Sequence, residues 1–327
     1  MLCLKWVAHF TSVINWTLRV GLGLLRQVAP ISQPWVAIID HCIDVGTNKA
    51  LVVLRVPLEA LSQRGAAIQL GDCECIGLRI AETVNGETIA LHLAEIFARS
   101  GTPLAIIKDC EATLQKGPRL WMDKAHAAVA VIEDIGHVMA GALKAQFENT
   151  SNDKRFTTLA AKAAKSLRQT ELAFLIPPRL RGKGRFLSIG KLACWGEKML
   201  GALALNGRAR KGSPLAKLRA ALPGLRALRA LVEHFASTAV TVSHVMETLK
   251  NNGLDRSTYE HCCQLLQQLP ANSAVKQRLD KWLRRHIEIQ RQLTSLPLLV
   301  SSDILESLFG NFKHILERRP QADMNRT

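Results

Sequence analysis

The stretch WVAIIDHCIDVGTNKALVVLRV, residues 35–56, predicts two apolar strands joined by a tight turn. Its flanks, residues 36–39 and 51–54, consist of β-branched and aliphatic residues, which favour strands. Gly46-Thr47-Asn48 between them suits a hairpin turn. Strands as apolar as these are usually buried on both faces, so we expect the hairpin to lie inside a covered sheet.

Two carboxylates interrupt the first of these strands. Asp40 and Asp44 are four residues apart, and because side chains alternate between faces with a period of two, both project to the same side. A carboxylate at the end of a buried strand is costly unless it is paired or bound to a metal. In one interpretation Asp44 supports the turn and Asp40 caps a buried edge. In the other, a carboxylate at this position serves a metal site.

The order of the next elements predicts the fold class. Residues 74–84 predict a third strand, residues 103–108 a fourth that runs into Asp109, and residues 127–132 a fifth that ends at Glu133-Asp134. Helices are expected over residues 88–98 and 138–147, and a short one after Asp109. Hairpin-linked strands followed by strands that alternate with helices favour an α/β fold with a ribonuclease-H-like mixed five-stranded sheet.

Beyond residue 150 the pattern becomes helical and basic. Of the 43 basic and 27 acidic residues, 26 and 9 lie between Ser151 and Val300, so this segment carries a net +17 and the rest of the chain −1. A basic segment beside a neutral body suits a polyanionic partner. The predicted domains are an N-terminal helical segment (1–33), the first part of the α/β core (34–150), a basic all-helical insertion (151–300), a core helix (301–318) and a tail (319–327).

Two Pro- or Gly-rich loops of the insertion are the predicted DNA-binding segments, because mobile cations on a loop can follow a duplex surface. Their basic residues are Arg179, Arg181, Lys183 and Arg185 in the first loop, and Arg208, Arg210 and Lys211 in the second.

The cysteines and the apolar N-terminus indicate where the protein works. The eight cysteines form no CxxC pair, so we interpret them as reduced thiols of a cytosolic protein. Lys5, Arg19 and Arg26 interrupt the apolar N-terminal stretch, which leaves no uncharged run of the ~20 residues that a membrane span requires. No small-residue cleavage site follows, which argues against a signal peptide. We expect a cytoplasmic protein without a membrane partner, at the nucleoid when bound to DNA.

A late helix supplies a third acid. Residues 301–318 predict an amphipathic helix with Ser302 as its N-cap and Glu306 near its start. Glu306 alone could be an ordinary first-turn acid that the helix dipole favours. With the first and fourth strands adjacent, however, Asp40 and Asp109 would lie side by side, and a helix over that edge would bring Glu306 close. Such a cluster of oxygen ligands suits two Mg²⁺ or Mn²⁺ ions that act on a phosphodiester.

The chain resembles the DDE-class transposases of bacterial insertion sequences, which have a ribonuclease-H-like catalytic core. The resemblance covers roughly residues 34–317 and rests on IIDHCIDVGTNKALVVL around Asp40, PLAIIKDCEATLQKG around Asp109 and SSDILESLFGNFK around Glu306. EDIGHVMAGALK adds a further family feature, an Asp, two residues, His motif, as Asp134 and His137. The basic helical stretch resembles the insertion domain that several such transposases carry before the last acid.

The resemblance implies a metal-dependent polynucleotidyl transferase that cuts transposon ends and joins the freed 3′ hydroxyl to target DNA. Asp40, Asp109 and Glu306 would be the catalytic metal ligands for two Mg²⁺ or Mn²⁺ ions, with Asp40 preferred over Asp44 because it directly follows the buried run. Asp134, His137 and Lys313 would position the DNA strand. The partners would be double-stranded DNA and further copies of the chain.

Two features depart from the family pattern. One bacterial branch has Tyr and Arg ahead of the catalytic Glu, where this chain has Leu299 and Ser302. The roughly 30 residues before the first strand are also too few for a separate DNA-reading domain of typical size. The alternatives are a nuclease of the same fold that cuts without joining, a non-catalytic DNA-binding remnant of a transposase and, least favoured, a basic helical structural protein.

Overall fold

A computed structural model describes residues 9–45, 48–148, 150–179, 185–204, 209–293 and 295–318 of the 327-residue chain. At residues 42–45, 64, 185–189 and 312–318 it describes the backbone alone. The strands in these ranges are β1 (Trp35–Val45), β2 (Asn48–Pro57), β3 (Glu74–Ala81), β4 (Ala105–Lys108) and β5 (Ala130–Glu133).

The strands form one sheet in the order β3-β2-β1-β4-β5. β1 pairs antiparallel with β2, and β2 pairs antiparallel with β3. β4 is parallel to β1, and β5 is parallel to β4. The ribonuclease-H-like mixed sheet that the sequence predicts, with antiparallel strands first and parallel strands later, is confirmed.

Helices make up most of the remaining described chain. They are α1 (Phe10–Arg26), α2 (Leu58–Arg64), α3 (Gly86–Ser100), α4 (Ala112–Ala125), α5 (Ile135–Phe147), α6 (Ser151–Leu167), α7 (Arg185–Ala204), α8 (Pro214–Ala221), α9 (Arg229–Asn252), α10 (Arg256–Gln267), α11 (Ala274–Leu293) and α12 (Asp303–Arg318). A short 3₁₀ turn, Leu225–Leu228, precedes α9. No helix among the described residues is long and apolar enough to cross a membrane.

The chain divides into two compact units, Met1–Asp134 with Ile289–Thr327, and Ile135–Glu288. The first contains the sheet and α12, and the second is helical. The second unit has 26 basic and 10 acidic residues, a net +16, whereas the first has 17 of each. The contacts between residues therefore divide the chain near residues 134 and 288, whereas the sequence pattern predicts boundaries at 150 and 300. This division assigns α5 to the basic unit.

One face of the sheet packs against α3 and α4. This core takes alternate residues of β1 and β2, the side chains that a strand turns to a single face, including Trp35, Ala37 and Ile39 of β1. Phe97 of α3 lies edge-on between Trp35, at 6.0 Å between ring centroids, and Trp121 of α4, at 4.7 Å. The side chains of Val36, Ile38 and Asp40 consequently lie on the other face.

The second unit has its own core, formed by α6, α7, α8 and α9. The buried residues include Phe156 of α6, Trp195 of α7 and Val232 of α9. The indole nitrogen of Trp195 donates to the carbonyl of Leu175 at 2.8 Å, which satisfies the polar atom of this largely buried ring.

The structure differs from the sequence prediction over residues 229–252. The sequence pattern predicts two helices with a break after Phe235, whereas α9 is continuous. The intervening Ser and Thr residues are weak helix formers. Here they lie in a packed helix, where Thr238 and Thr241 are buried and donate to the carbonyls of His234 and Ser237 at 2.8 and 3.2 Å. Tertiary packing and these local hydrogen bonds override the propensity.

We expect Gly117→Ala to destabilise the first unit. A Cβ at Gly117 of α4 would lie 2.4 Å from Cγ2 and 2.6 Å from Cβ of Ile89, a fully buried residue of α3. Because the Ile89 Cβ is attached to the helix backbone, α3 and α4 would have to separate. This overpacking should cost about 1–3 kcal/mol, which exceeds the gain of about 1 kcal/mol from alanine's helix propensity.

Urea unfolding followed by tryptophan fluorescence measures this effect. Gly21→Ala in α1 is the matched control, since nothing lies within 4 Å of a Cβ at that glycine. The control should be as stable as the unsubstituted protein or more so. Equal stability of the two variants would contradict the close packing of α3 on α4.

Candidate active site at the carboxyl edge of the sheet

Asp40 and Asp109 lie at the same level of two neighbouring strands. β1 and β4 run parallel with Ile38 opposite Ile107, so two residues further along each chain Asp40 comes level with Asp109. Each aspartate is two residues beyond its paired isoleucine, and since side chains alternate between faces, both aspartates lie on the same face of the sheet. The first and fourth strands are neighbours, as the sequence predicts.

The Asp40 side chain is buried, with 7% of its surface exposed. The residue pairs with Val52 on β2 and lies on the face of the sheet opposite α3 and α4. A carboxylate in such a position remains ionised only where hydrogen bonds or a cation compensate for its lost hydration.

Asp109 immediately follows β4 and is half-buried. Its Oδ1 accepts a hydrogen bond from the backbone nitrogen of Glu111 at 2.8 Å, an arrangement typical of an Asx turn. This bond fixes the direction of the carboxylate. Among the residues that the structure describes, no donor reaches its other oxygen, Oδ2. Lys108, which is 2% exposed, donates from Nζ to the Asp109 carbonyl at 3.1 Å.

Asp134, which directly follows β5, stands at the same level as Asp109. Lys108 of β4 is opposite Glu133 of β5, and the Asp134 nitrogen donates to the Lys108 carbonyl at 2.7 Å, so Asp134 comes level with Asp109. Three aspartates therefore lie at one level of three adjacent parallel strands and on one face, Asp40 within β1 and the other two directly after β4 and β5.

The Asp134 carboxylate anchors α12. It is 1% exposed, and its Oδ2 accepts from the backbone nitrogen of Ser302 at 2.7 Å and from the Ser302 hydroxyl at 3.1 Å. Ser302 directly precedes the helix, where a negative charge also interacts favourably with the helix dipole. Sequence reasoning assigns Asp134 to strand positioning and misses this contact, because the partners are 168 residues apart.

Glu306 stands in the first turn of α12, which packs against β1. Leu305 and Phe309 are buried, whereas Glu306 is exposed. Since Asp134 holds the start of α12 on the face of the sheet that carries Asp40, the helix brings Glu306 to the same region of the unit.

The donors suit a hard divalent cation, because carboxylate oxygens are its preferred protein ligands. Across the described part of the chain, no three His, Cys, Asp or Glu side chains are grouped closely enough to hold a metal ion. The structure thus brings Asp40 and Asp109 together by strand register but does not join the exposed Glu306 to them as a third ligand. Mg²⁺ commonly takes only one or two carboxylates and completes its shell with water and substrate phosphate oxygens.

The backbone separates Asp44 from this level. It lies four residues beyond Asp40 on β1, which corresponds to about 13 Å at ~3.3 Å per residue. Its side chain is outside the described atoms. The register of β1 with β4 therefore favours Asp40 over Asp44 as the partner of Asp109.

Those of the remaining predicted site residues that the structure describes are on helices and loops. His137 is on α5 in the helical unit, and Lys313 is on α12 with a side chain that is not described. Of the predicted DNA-binding residues, Arg179, Arg210 and Lys211 are exposed, Arg185 begins α7 without a described side chain, and Arg181, Lys183 and Arg208 lie outside the described residues.

His41 is a site neighbour that sequence reasoning missed. Its Nε2 lies 2.8 Å from the Thr113 hydroxyl and 3.4 Å from Oε2 of Glu111, so it connects β1 to the start of α4, next to the loop that holds Asp109. The sequence signal that could have found it is a histidine next to Asp40 in an otherwise apolar strand. The structure shows that this histidine is buried, and strand alternation turns it to the face opposite that of Asp40.

Two cysteine thiols are poor metal ligands at neutral pH. Burial, and to a smaller extent the neighbouring Cys263, raises the pKa of Cys262 to about 12. Burial, together with the charge of Asp72, raises the pKa of Cys73 to about 11. Both thiols stay protonated, and metals bind thiolates.

Comparisons with known proteins give a distant likeness among solved structures only. No family model matches the chain, and no curated protein matches it. Among solved structures it is similar to the Drosophila P element transposase strand transfer complex, with 9% sequence identity, coverage of 98% of this chain and 83% of that chain, and a TM-score of 0.43. We therefore infer function from this chain's own residues.

Proposed function

We propose that this protein is a transposase-like, divalent-metal-dependent enzyme that cleaves DNA and transfers the freed strand. The observation that carries the proposal is the common level of Asp40 and Asp109 on adjacent parallel strands. The net +16 of the helical unit supports a polyanionic substrate.

Asp40 and Asp109 would hold the cation, and Glu306 would add a ligand once DNA is bound. Such an ion, Mg²⁺ or Mn²⁺, would supply charge neutralisation at the phosphodiester and activation of the attacking oxygen, and a second ion would assist the leaving oxygen. Asp109 is suited to this role because Glu111 fixes one of its oxygens and leaves Oδ2 for a ligand. The bond between Asp134 and Ser302 sets where Glu306 stands relative to the sheet.

The proposed roles of the other polar residues follow from their charge and their hydrogen-bonding groups. Lys313 and His137 would contact the DNA strand as donors, and Asp134 would support Lys313 through α12. Double-stranded DNA at the transposon ends and at the target would be the substrate, bound at the nucleoid by several copies of the chain. The exposed Arg179, Arg210 and Lys211 would contact its phosphates.

A nicking and joining assay tests this proposal. Labelled DNA that carries the flanking sequences of the gene is incubated with the protein and Mg²⁺, Mn²⁺ or EDTA. We expect metal-dependent nicks and joined products from the unsubstituted protein, and loss of both from Asp40→Ala, Asp109→Ala and Glu306→Ala variants that remain folded.

The products separate the alternatives. Nicks with free 3′ hydroxyls that are never joined would assign the chain to nucleases of the same fold. Salt-sensitive DNA binding without metal-dependent cleavage by the unsubstituted protein would identify a non-catalytic remnant and overturn the proposal.

A further inference from the structure

The helical unit contains a cleft with a cationic wall. It has a volume of about 520 Å³ and lies between α6 on one side and the end of α8 with the segment that follows it on the other. Lys154, Arg155 and Lys162 of α6 line one side, and Ala220, Pro223 and Gly224 line the other. None of the residues that line the cleft is acidic.

The cationic wall belongs to one face of an amphipathic helix. The buried side of α6 carries Phe156, Ala160, Ala163 and Leu167, which pack into the core of the unit. Its exposed face carries five cations, Lys154, Arg155, Lys162 and Lys165, with Arg168 just beyond the helix end. We call this set the α6 cationic face.

Ion pairs among the described residues do not neutralise the α6 cationic face. Elsewhere in the unit exposed arginines pair along their own helices, as Arg229 does with Glu233 and Arg256 with Glu260, each at 3.0 Å. Within the described residues no such pair involves the five cations of α6. Glu171, the next acid along the chain, is taken by Lys217 at 2.9 Å.

Cations that repeat along a helix without counter-charges weaken the helix by mutual repulsion. Lys162 and Lys165, and likewise Lys165 and Arg168, are three residues apart and share a face. A sequence selected for stability alone would place acids among them, as α9 and α10 do. The arrangement therefore points to an anion from outside the chain.

We propose that the α6 cationic face and its cleft bind the phosphate backbone of a DNA strand, an inference that rests on the proposed action on DNA. Lys154 and Lys162 are eight residues apart, or about 12 Å along the helix at ~1.5 Å per residue. Phosphates of one strand advance about 3.4 Å each along the duplex axis, so this span matches three to four phosphates.

The shape of the cleft favours a polymer over a small anion. The five cations extend from Lys154 to Arg168, about 21 Å at ~1.5 Å per residue, and do not converge on one point. Thr158 adds a hydroxyl between them, whereas the Ser166 hydroxyl donates to the carbonyl of Lys162 at 3.1 Å. The small apolar residues of the opposite wall admit a sugar–phosphate backbone without a competing charge. Such contacts hold DNA without reading its sequence.

Two matched triple variants test the proposal. The first, K154Q/R155Q/K162Q, removes three cations of the cleft. The second, R229Q/R256Q/K281Q, removes three exposed cations of α9, α10 and α11, so both variants lose the same net charge. Binding of a fluorescein-labelled duplex of arbitrary sequence is followed by anisotropy in EDTA across a salt series.

We expect the cleft variant to lower the slope of log Kobs against log[salt] by about 2–3, since each phosphate contact contributes about 0.9. The control variant should change the slope by less than about 0.9, the contribution of one phosphate contact. Equal losses in both variants would mean that overall charge, not this cleft, binds DNA, and an unchanged cleft variant would also overturn the proposal. Because EDTA removes any metal, this binding measurement is independent of the cleavage assay. DNA binding at the cleft can persist when no cleavage is found, and cleavage can be found when the cleft does not bind DNA.

Discussion

Asp109→Asn is expected to abolish Mg²⁺-dependent DNA cleavage while DNA binding remains nearly unchanged. The substitution keeps the shape of the side chain and an oxygen that can accept from the Glu111 nitrogen. It removes the negative charge that a divalent cation requires. Residues that only support a metal ligand typically contribute a factor of roughly 10–100 to activity. The cleavage rate of Asp109→Asn should fall by more than this factor. Asp40→Asn should behave in the same way.

Cleavage is measured as the initial rate on labelled DNA, and binding by anisotropy in EDTA. Asp123→Asn is the matched control, because Asp123 is an exposed aspartate of α4 in the same unit. It should retain full activity. If Asp109→Asn lost DNA binding together with cleavage, Asp109 would be a structural residue and not a metal ligand.

Asp134→Ala is expected to give the largest loss of stability in the first unit. Its carboxylate is buried and accepts two hydrogen bonds at the start of α12, at 2.7 and 3.1 Å. Removal would leave the nitrogen and hydroxyl of Ser302, itself 1% exposed, without this acceptor. Hydrogen bonds to a charged group are each worth about 1.5–3 kcal/mol, so we expect the free energy of unfolding to fall by about 3–5 kcal/mol.

Urea unfolding and amide hydrogen exchange of α12 measure this prediction. Ser302→Ala removes only the hydroxyl bond and should cost about 1 kcal/mol. Exchange at residues 304–309 should accelerate more in Asp134→Ala than in Ser302→Ala. Unfolding and exchange of Asp134→Ala that match the unsubstituted protein would show that Asp134 does not anchor α12.

The sheet could be predicted from sequence because its signals are local. The apolar runs of residues 35–56, a turn between them and the later alternation of strands with helices are sufficient to order five strands. Strand adjacency then places Asp40 next to Asp109, since the position of each aspartate directly after an apolar run is visible in the sequence.

The rest of the site depends on contacts that no local pattern records. The bond between Asp134 and Ser302 joins positions 168 residues apart, and the contact of His41 with Thr113 joins positions 72 apart. The continuous α9 likewise reflects burial of Thr238 and Thr241, which outweighs their helix propensity. The α6 cationic face was part of a predicted helix, but its importance appears only when the cleft and the missing counter-charges are seen.

Binding of Mn²⁺ tests the central claim, a divalent-cation site shared by Asp40 and Asp109, most directly. Electron paramagnetic resonance of free Mn²⁺ is titrated against the unsubstituted protein and D40N/D109N, each with a bound DNA duplex. We predict saturable binding by the unsubstituted protein, with D123N unchanged and D40N/D109N at least tenfold weaker. Equal Mn²⁺ affinity of the unsubstituted protein and D40N/D109N would contradict the site.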